Sequence, residues 1–157
     1  MKLTDLIPRK AILPDLKAKD KKGAIQELVQ AARKAHEGEK FNVADIVEAI
    51  VAREKTGSTG IGGGVGIPHA KVEGVKDVVG AFGRIQPGLE FNAVDGAPVE
   101  LIFVILAPPS QGDAYLQILR KVMTAIKKPN FLKFLKSVKT AKDIEEVFRE
   151  VEEAAAV

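Results

Sequence analysis

The stretch VELIFVILA, residues 99–107, constrains the fold of this chain more than any other. Only Glu100 interrupts its apolar run, so as a strand it has no face suited to water. Such a strand belongs at the centre of a sheet that is covered on both sides. It falls far short of the ~20 apolar residues that span a bilayer, and Pro108 and Pro109 end it. No other run comes closer, so no direct membrane insertion is expected.

The flanking segments supply the rest of the domain. Ile25, Leu28, Val29 and Ala32 follow helical spacing, and the polar HEGEK at 36–40 closes that helix with Gly38 as its C-cap. Asn42 reads as the N-cap of a second helix, with Asp45 three residues on as in a capping box. Val43, Ile46, Val47, Ile50 and Val51 form its core face, and it ends near Glu54. Residues 65–67 and 78–85 are strand candidates, the second weakened by two glycines. Residues 89–95 extend or pair with it, and Asp95-Gly96 signals a turn. Beyond the prolines, residues 110–113 turn into a long helix. Leu116, Leu119, Val122, Met123 and Ile126 face the core, and Pro129 stops it. Phe131, Leu132 and Leu135 give a short helix, and Thr140 with Asp143 caps a last one carrying Ile144, Val147, Phe148 and Val151. Helices, then strands, then helices predict one α/β (α+β) layered domain over residues 1–157, a mixed sheet flanked by helices.

At 157 residues, 46% hydrophobic and 29% charged, the chain can bury the core of one soluble domain. It has no cysteine, which rules out disulfides, thiol catalysis and cysteine metal sites. The N-terminal MKLTDLIPRK lacks the apolar core of a secretory signal, so a cytoplasmic location is expected. A net charge of +3 suits anionic partners. Nucleic acid is not among them: lysines alternate with acids, and aromatics are only 5%. Lys17, Lys19, Lys21 and Lys22 read as the solvated start of a helix.

Residues 57–71, GSTGIGGGVGIPHAK, place Gly60, Gly62, Gly63, Gly64 and Gly66 ahead of Pro68 and His69. The dinucleotide fingerprint G-x-G-x-x-G fails, because its third glycine would fall on Val65, Ile67 or His69. A Walker loop fails for want of Gly-Lys-Ser/Thr. Two readings stand, a mobile surface loop or a wall of backbone amides around an anion. His69 also has two. A lone histidine is commonly structural, yet a neutral imidazole presented by a proline is able to act as a nucleophile. Metal binding is disfavoured, since His36 has no ligand spacing to His69, and no G-x-S-x-G elbow supports a serine triad. A phosphoryl electrophile would need cations and donors for its oxygens. Arg53, Ser58, Thr59 and glycine amides such as those of Gly63 and Gly64 are the candidates.

The longer string REKTGSTGIGGGVGIPHAK, residues 53–71, resembles the phosphohistidine motif of enzyme IIA components of the bacterial sugar phosphotransferase system. The match is to the fructose/mannitol class, which includes the nitrogen-regulatory proteins, and it extends over essentially the whole chain. The resemblance implies that His69 is phosphorylated by phospho-HPr or an HPr-like donor, and that Arg53 contacts the phosphoryl group. It implies a phosphotransferase that needs no cofactor or metal. Ser58 and Thr59 would support the phosphoryl group or serve as ordinary turn residues, and Arg53 would alternatively cap its own helix end. Many members of the family carry a second histidine in a D/E-H-L pattern after the long strand. Here the string is DAYL, and Tyr115 takes that place. Tyr115 either donates a hydrogen bond to a phosphoryl oxygen or packs the first helical turn.

Two roles fit this resemblance. In one, the chain relays phosphate from the donor to a IIB-type acceptor in sugar transport. In the other, it is a regulatory module whose phosphorylation state controls target proteins, since the added charge would switch an interface. Relay is the leading expectation and regulation the alternative; the tyrosine shifts the balance modestly toward regulation or toward altered partners. An inert IIA-like domain would conflict with the intact motif.

Overall fold

In chain order, the elements begin with α1 (Leu3–Leu6), β1 (Ile12–Leu13), α2 (Lys21–Ala35) and α3 (Val43–Lys55). The glycine-rich stretch then holds three short strands, β2 (Gly60–Gly62), β3 (Val65–Gly66) and β4 (His69–Lys71). Two long strands, β5 (Val79–Leu89) and β6 (Val99–Ala107), precede α4 (Gly112–Ile126), α5 (Phe131–Ser137) and α6 (Ala141–Ala156). This is a computed structural model, and it describes residues 1–156.

The sheet runs β1-β5-β6-β3-β2, and β4 also pairs with β6 farther along that strand. Pairing is parallel for β1 with β5 and for β3 and β4 with β6, and antiparallel elsewhere, so the sheet is mixed as expected. β6 lies at its centre, and every residue of it except Glu100 is buried. Side chains alternate across a strand, which places the helices. On one face Phe82, Phe103 and Phe148 of α6 pack together, with Phe82–Phe103 centroids 4.8 Å apart. On the other, Gly83 meets Leu28 of α2. The sheet is therefore covered on both faces, the condition its central strand demanded.

The two glycines that weaken β5 as a sequence signal have a packing reason. A Cβ on Gly80 would stand 2.9 Å from the Val104 carbonyl oxygen and 3.1 Å from Leu6. One on Gly83 would stand 2.7 Å from Leu16 and 2.8 Å from Leu28. The strand gives up side chains so that α1 and α2 can press against its backbone.

Caps fall largely where the sequence puts them. The Asn42 side chain accepts from the Asp45 amide at 3.1 Å, and Thr140 Oγ1 accepts from Asp143 at 3.1 Å. Gly38 is displaced: α2 stops at Ala35 with His36 as its cap, and Gly38 turns the chain two residues later at φ +87°. Residues 89–95 do not continue as strand past Leu89. Phe91 plugs into the core there, and Asp95-Gly96 makes the expected turn, with the Gly96 amide donating to the Ala93 carbonyl at 2.9 Å. The core face of α4 is rotated from the expected one. Tyr115, Ile118, Val122 and Ala125 are buried, whereas Leu116 is 47% exposed. Lys21 is no solvated lysine either: it pairs with Glu54 at 2.5 Å and donates to the Phe91 carbonyl at 3.2 Å. No helix among the described residues is long and apolar enough to cross a membrane.

Candidate functional site

His69 opens β4, opposite Ile105 of β6, and the Ile105 amide donates to the Pro68 carbonyl at 3.1 Å. Proline fixes one backbone torsion and the sheet fixes the rest, so the imidazole leaves a rigid base. The ring is half-buried. Its Nδ1 lies 2.6 Å from the Ile67 carbonyl oxygen. A carbonyl only accepts, so Nδ1 carries the proton and Nε2 of the neutral ring holds the lone pair. One nitrogen is committed to the backbone and the other is left for chemistry.

His69 shares a pocket of about 410 Å³ with Ala49 and Arg53 of α3, Lys71 of β4 and Tyr115 of α4. Arg53 stands in the last turn of α3, where its Nη1 donates to the Gly57 carbonyl at 2.9 Å. Both readings of this arginine therefore meet in one side chain: it ties down the loop after its helix and still faces the pocket. No carboxylate lies within ion-pair distance of it among the described residues, so its charge is available to an anion. The Tyr115 ring sits 6.0 Å from the imidazole between centroids, tilted by 47°. Burial pushes its phenol up to about 12, against the opposing pull of the Arg53 charge. At neutral pH it is a hydrogen-bond donor. Its packing role and its place in the pocket coexist, since it is only 8% exposed yet lines the cavity.

The remaining sequence candidates lie elsewhere. Ser58 Oγ donates to the Phe91 carbonyl at 2.6 Å and accepts from the Gly60 amide at 3.0 Å. Thr59 is buried, with its amide 3.1 Å from Glu54 Oε2 and its hydroxyl bonded to the other carboxylate oxygen. Both are spent on holding the loop to α3 and the core, and neither lines the pocket. Gly63 and Gly64 form the tip of the β2–β3 hairpin at φ +68° and +81°. The Gly63 amide is taken by Asp95 Oδ2 at 3.2 Å, and Gly64 faces Lys136. Val65 pairs with Leu101 and His69 with Ile105, so the tip is about 13 Å or more from the histidine along the sheet. These glycines are no wall of the His69 pocket. A segment contiguous in sequence was split by its own strands, and Asp95 occupies the amide an outside anion would need.

Sequence reasoning missed Lys71 and Glu54. Lys71 follows His69 by two positions in a strand, so the period-two rule puts both on one face; that signal was present in the string itself. Glu54 pairs with Lys21, 33 residues earlier, and holds Thr59, five residues later, and the pairing with Lys21 left no local signal.

The family model described as "Phosphoenolpyruvate-dependent sugar phosphotransferase system, EIIA 2" matches residues 5–151. The chain belongs to this family. Among curated relatives, a nitrogen regulatory protein of Bradyrhizobium diazoefficiens is 38% identical over 144 residues, covering 92% of each chain. Among solved structures, nitrogen regulatory protein IIA-Ntr of Neisseria meningitidis superposes with a TM-score of 0.84 at 33% identity, over 93% of this chain and 98% of that one. The mannitol enzyme IIA of Escherichia coli, solved in complex with phosphorylated enzyme IIB, shares the fold with a TM-score of 0.74 at 20% identity, over 90% and 95% of the two chains. Family membership and the nitrogen-regulatory likeness agree with the resemblance carried by residues 53–71.

Proposed function

We propose that the chain is a phosphocarrier of one IIA-type domain, in which Nε2 of His69 accepts a phosphoryl group from a phosphohistidine on an HPr-like donor. The observation that carries this reading is the bond between Nδ1 and the Ile67 carbonyl, which in the neutral ring puts the lone pair on Nε2, in a pocket that Arg53 also lines. The bond from phosphorus to the donor imidazole breaks, its electron pair stays on the donor nitrogen, and the new bond forms to Nε2. The Nδ1 proton remains on His69 throughout, shared with Ile67. Arg53 and Lys71 would offset charge on the three equatorial oxygens, and the Tyr115 hydroxyl would donate to one of them. The step is positioning plus charge stabilisation and requires no metal or nucleotide.

Onward use is read as regulatory and cytoplasmic. Two relatives similar to this chain bear the name nitrogen regulatory protein, and the family resemblance puts Tyr115 where many members carry a second histidine. A phosphoryl group adds about −1.5 to −2 charges at the pocket mouth, enough to change affinity for a target protein. The second reading, relay to a IIB-type acceptor, draws on the mannitol IIA–IIB complex of Escherichia coli. Phosphorylated protein mixed with a purified IIB domain separates the two: label retained on His69 supports regulation, and rapid loss to the IIB domain supports relay.

A further inference from the structure

Residues 114–142 contain eight of the chain's 24 lysines and arginines and none of its 21 acids. That tract carries +8 while the remainder carries −5, so the mild net charge of +3 conceals a strongly basic region. Lys121 pairs with Glu152 at 3.1 Å and Lys136 with Glu100 at 3.5 Å. Among the described residues, Arg120, Lys127, Lys128 and Lys133 have no carboxylate partner, and all four are exposed.

Two of them, Arg120 and Lys128, line a furrow between α4 and α6. It consists of two adjoining hollows of about 430 and 220 Å³ that share Lys128 and Val151. The floor is apolar, from Leu3 and Ala125 through Val151 and Val147 to Phe131. Phe134, 45% exposed, stands at one end. The α4 side presents Arg120 and Lys128 and the α6 side presents Glu150, while Glu152 is already taken by Lys121 and the Leu3 amide. From Gln117 to Ala125 the furrow follows about 12 Å of α4, roughly two turns, and it continues past the helix end to Lys128.

We propose that this furrow is a docking groove for an amphipathic helix of a partner protein, one whose apolar face is flanked by acids toward α4 and by bases toward α6. Charge complementarity selects that occupant. A nucleic acid or an anionic lipid surface would match Arg120 and Lys128 but meet the α6 carboxylates, and a flat bilayer would not reach the floor. Apolar side chains at helical spacing fill such a groove, and the opposed flanks fix the direction in which the helix lies. Tyr115 and Ala125 are separated by about 15 Å along α4 and Lys128 lies beyond the helix end, so the partner leaves the His69 pocket open. Docking and phosphoryl exchange can then occur on the same molecule.

The test uses the isotope-labelled full chain and two synthetic helical peptides with the same apolar face. One has glutamates on one flank and lysines on the other; the second has lysines on both. The expected result is shifts in amides of residues 117–128 and 147–154 with the mixed peptide and at least about tenfold weaker binding of the all-lysine one. Lys128→Glu, an exposed change beyond the end of α4, should weaken the mixed peptide by about tenfold, and His69→Ala should leave it unaltered. Equal affinity of the two peptides, no binding of the mixed peptide, or indifference to Lys128→Glu would overturn the proposal. So would phosphatidylglycerol vesicles or duplex RNA shifting these same amides more strongly than the mixed peptide.

Discussion

A histidine serves as a phosphoryl acceptor when one ring nitrogen is committed and the other is presented, and Ile67 makes that division for His69. Around it, Arg53 and Lys71 bring charge and Tyr115 brings a neutral hydroxyl held well above the ordinary phenol range by burial. Tyr115 is the only tyrosine of a chain without tryptophan, so its ionisation can be followed alone by ultraviolet absorbance. The expected midpoint is about 12 in the folded protein, moving higher still in Arg53→Ala, because that charge favours the phenolate. A midpoint near 10 in the folded chain would place Tyr115 in water and not against the pocket. The folded state holds the proton more tightly, so this contribution to stability is complete below pH ~10 and is lost as the pH climbs toward 12. A Tyr115→Phe variant should lose that part of the alkaline fall in melting temperature. That His69 and Arg53 would lie together was legible in the sequence, because one specific string frames both and they line one pocket. Ser58, Thr59, Gly63 and Gly64 sit in the same string but turn their polar groups to Phe91, Glu54 and Asp95, partners distant in sequence or facing another way.

At the scale of elements, the expectations that held were those fixed by local chemistry. Asn42 and Thr140 cap their helices through amides three residues away, an interaction wholly contained in the string. The apolar run at Val99–Ala107 took the centre of the sheet because burial leaves such a strand no other place. What could not be read depends on long-range partners. The phase of α4 is set by what the helix packs against, so Leu116 faces water and Tyr115 the core although both fit an apolar stripe. The glycines of β5 weakened the strand signal for the same reason: their purpose is the approach of Leu6, Leu16 and Leu28. Gly80→Ala would set a methyl group 2.9 Å from the Val104 carbonyl oxygen, a backbone atom with little room to yield. The expected cost is about 1–3 kcal/mol in urea unfolding, with the transition remaining cooperative. Stability equal to that of the parent would mean that α1 does not press on β5 as described.

The whole molecule separates two surfaces along one helix. The N-terminal turn of α4 brings Tyr115 to His69, and its far half, with Arg120 and Ala125, lines the furrow. A phosphoryl group at one end and a docked helix at the other need not compete for space, an arrangement suited to a protein whose phosphorylation is read by partners. The most direct test incubates the chain with enzyme I, an HPr-type donor and phosphoenolpyruvate, then locates the phosphoryl group by phosphorus and nitrogen NMR. The expected result is a single acid-labile phosphoramidate on Nε2 of His69, absent from a folded His69→Ala variant. No phosphorylation by several HPr-type donors, phosphate on Nδ1, or label that survives His69→Ala would contradict it.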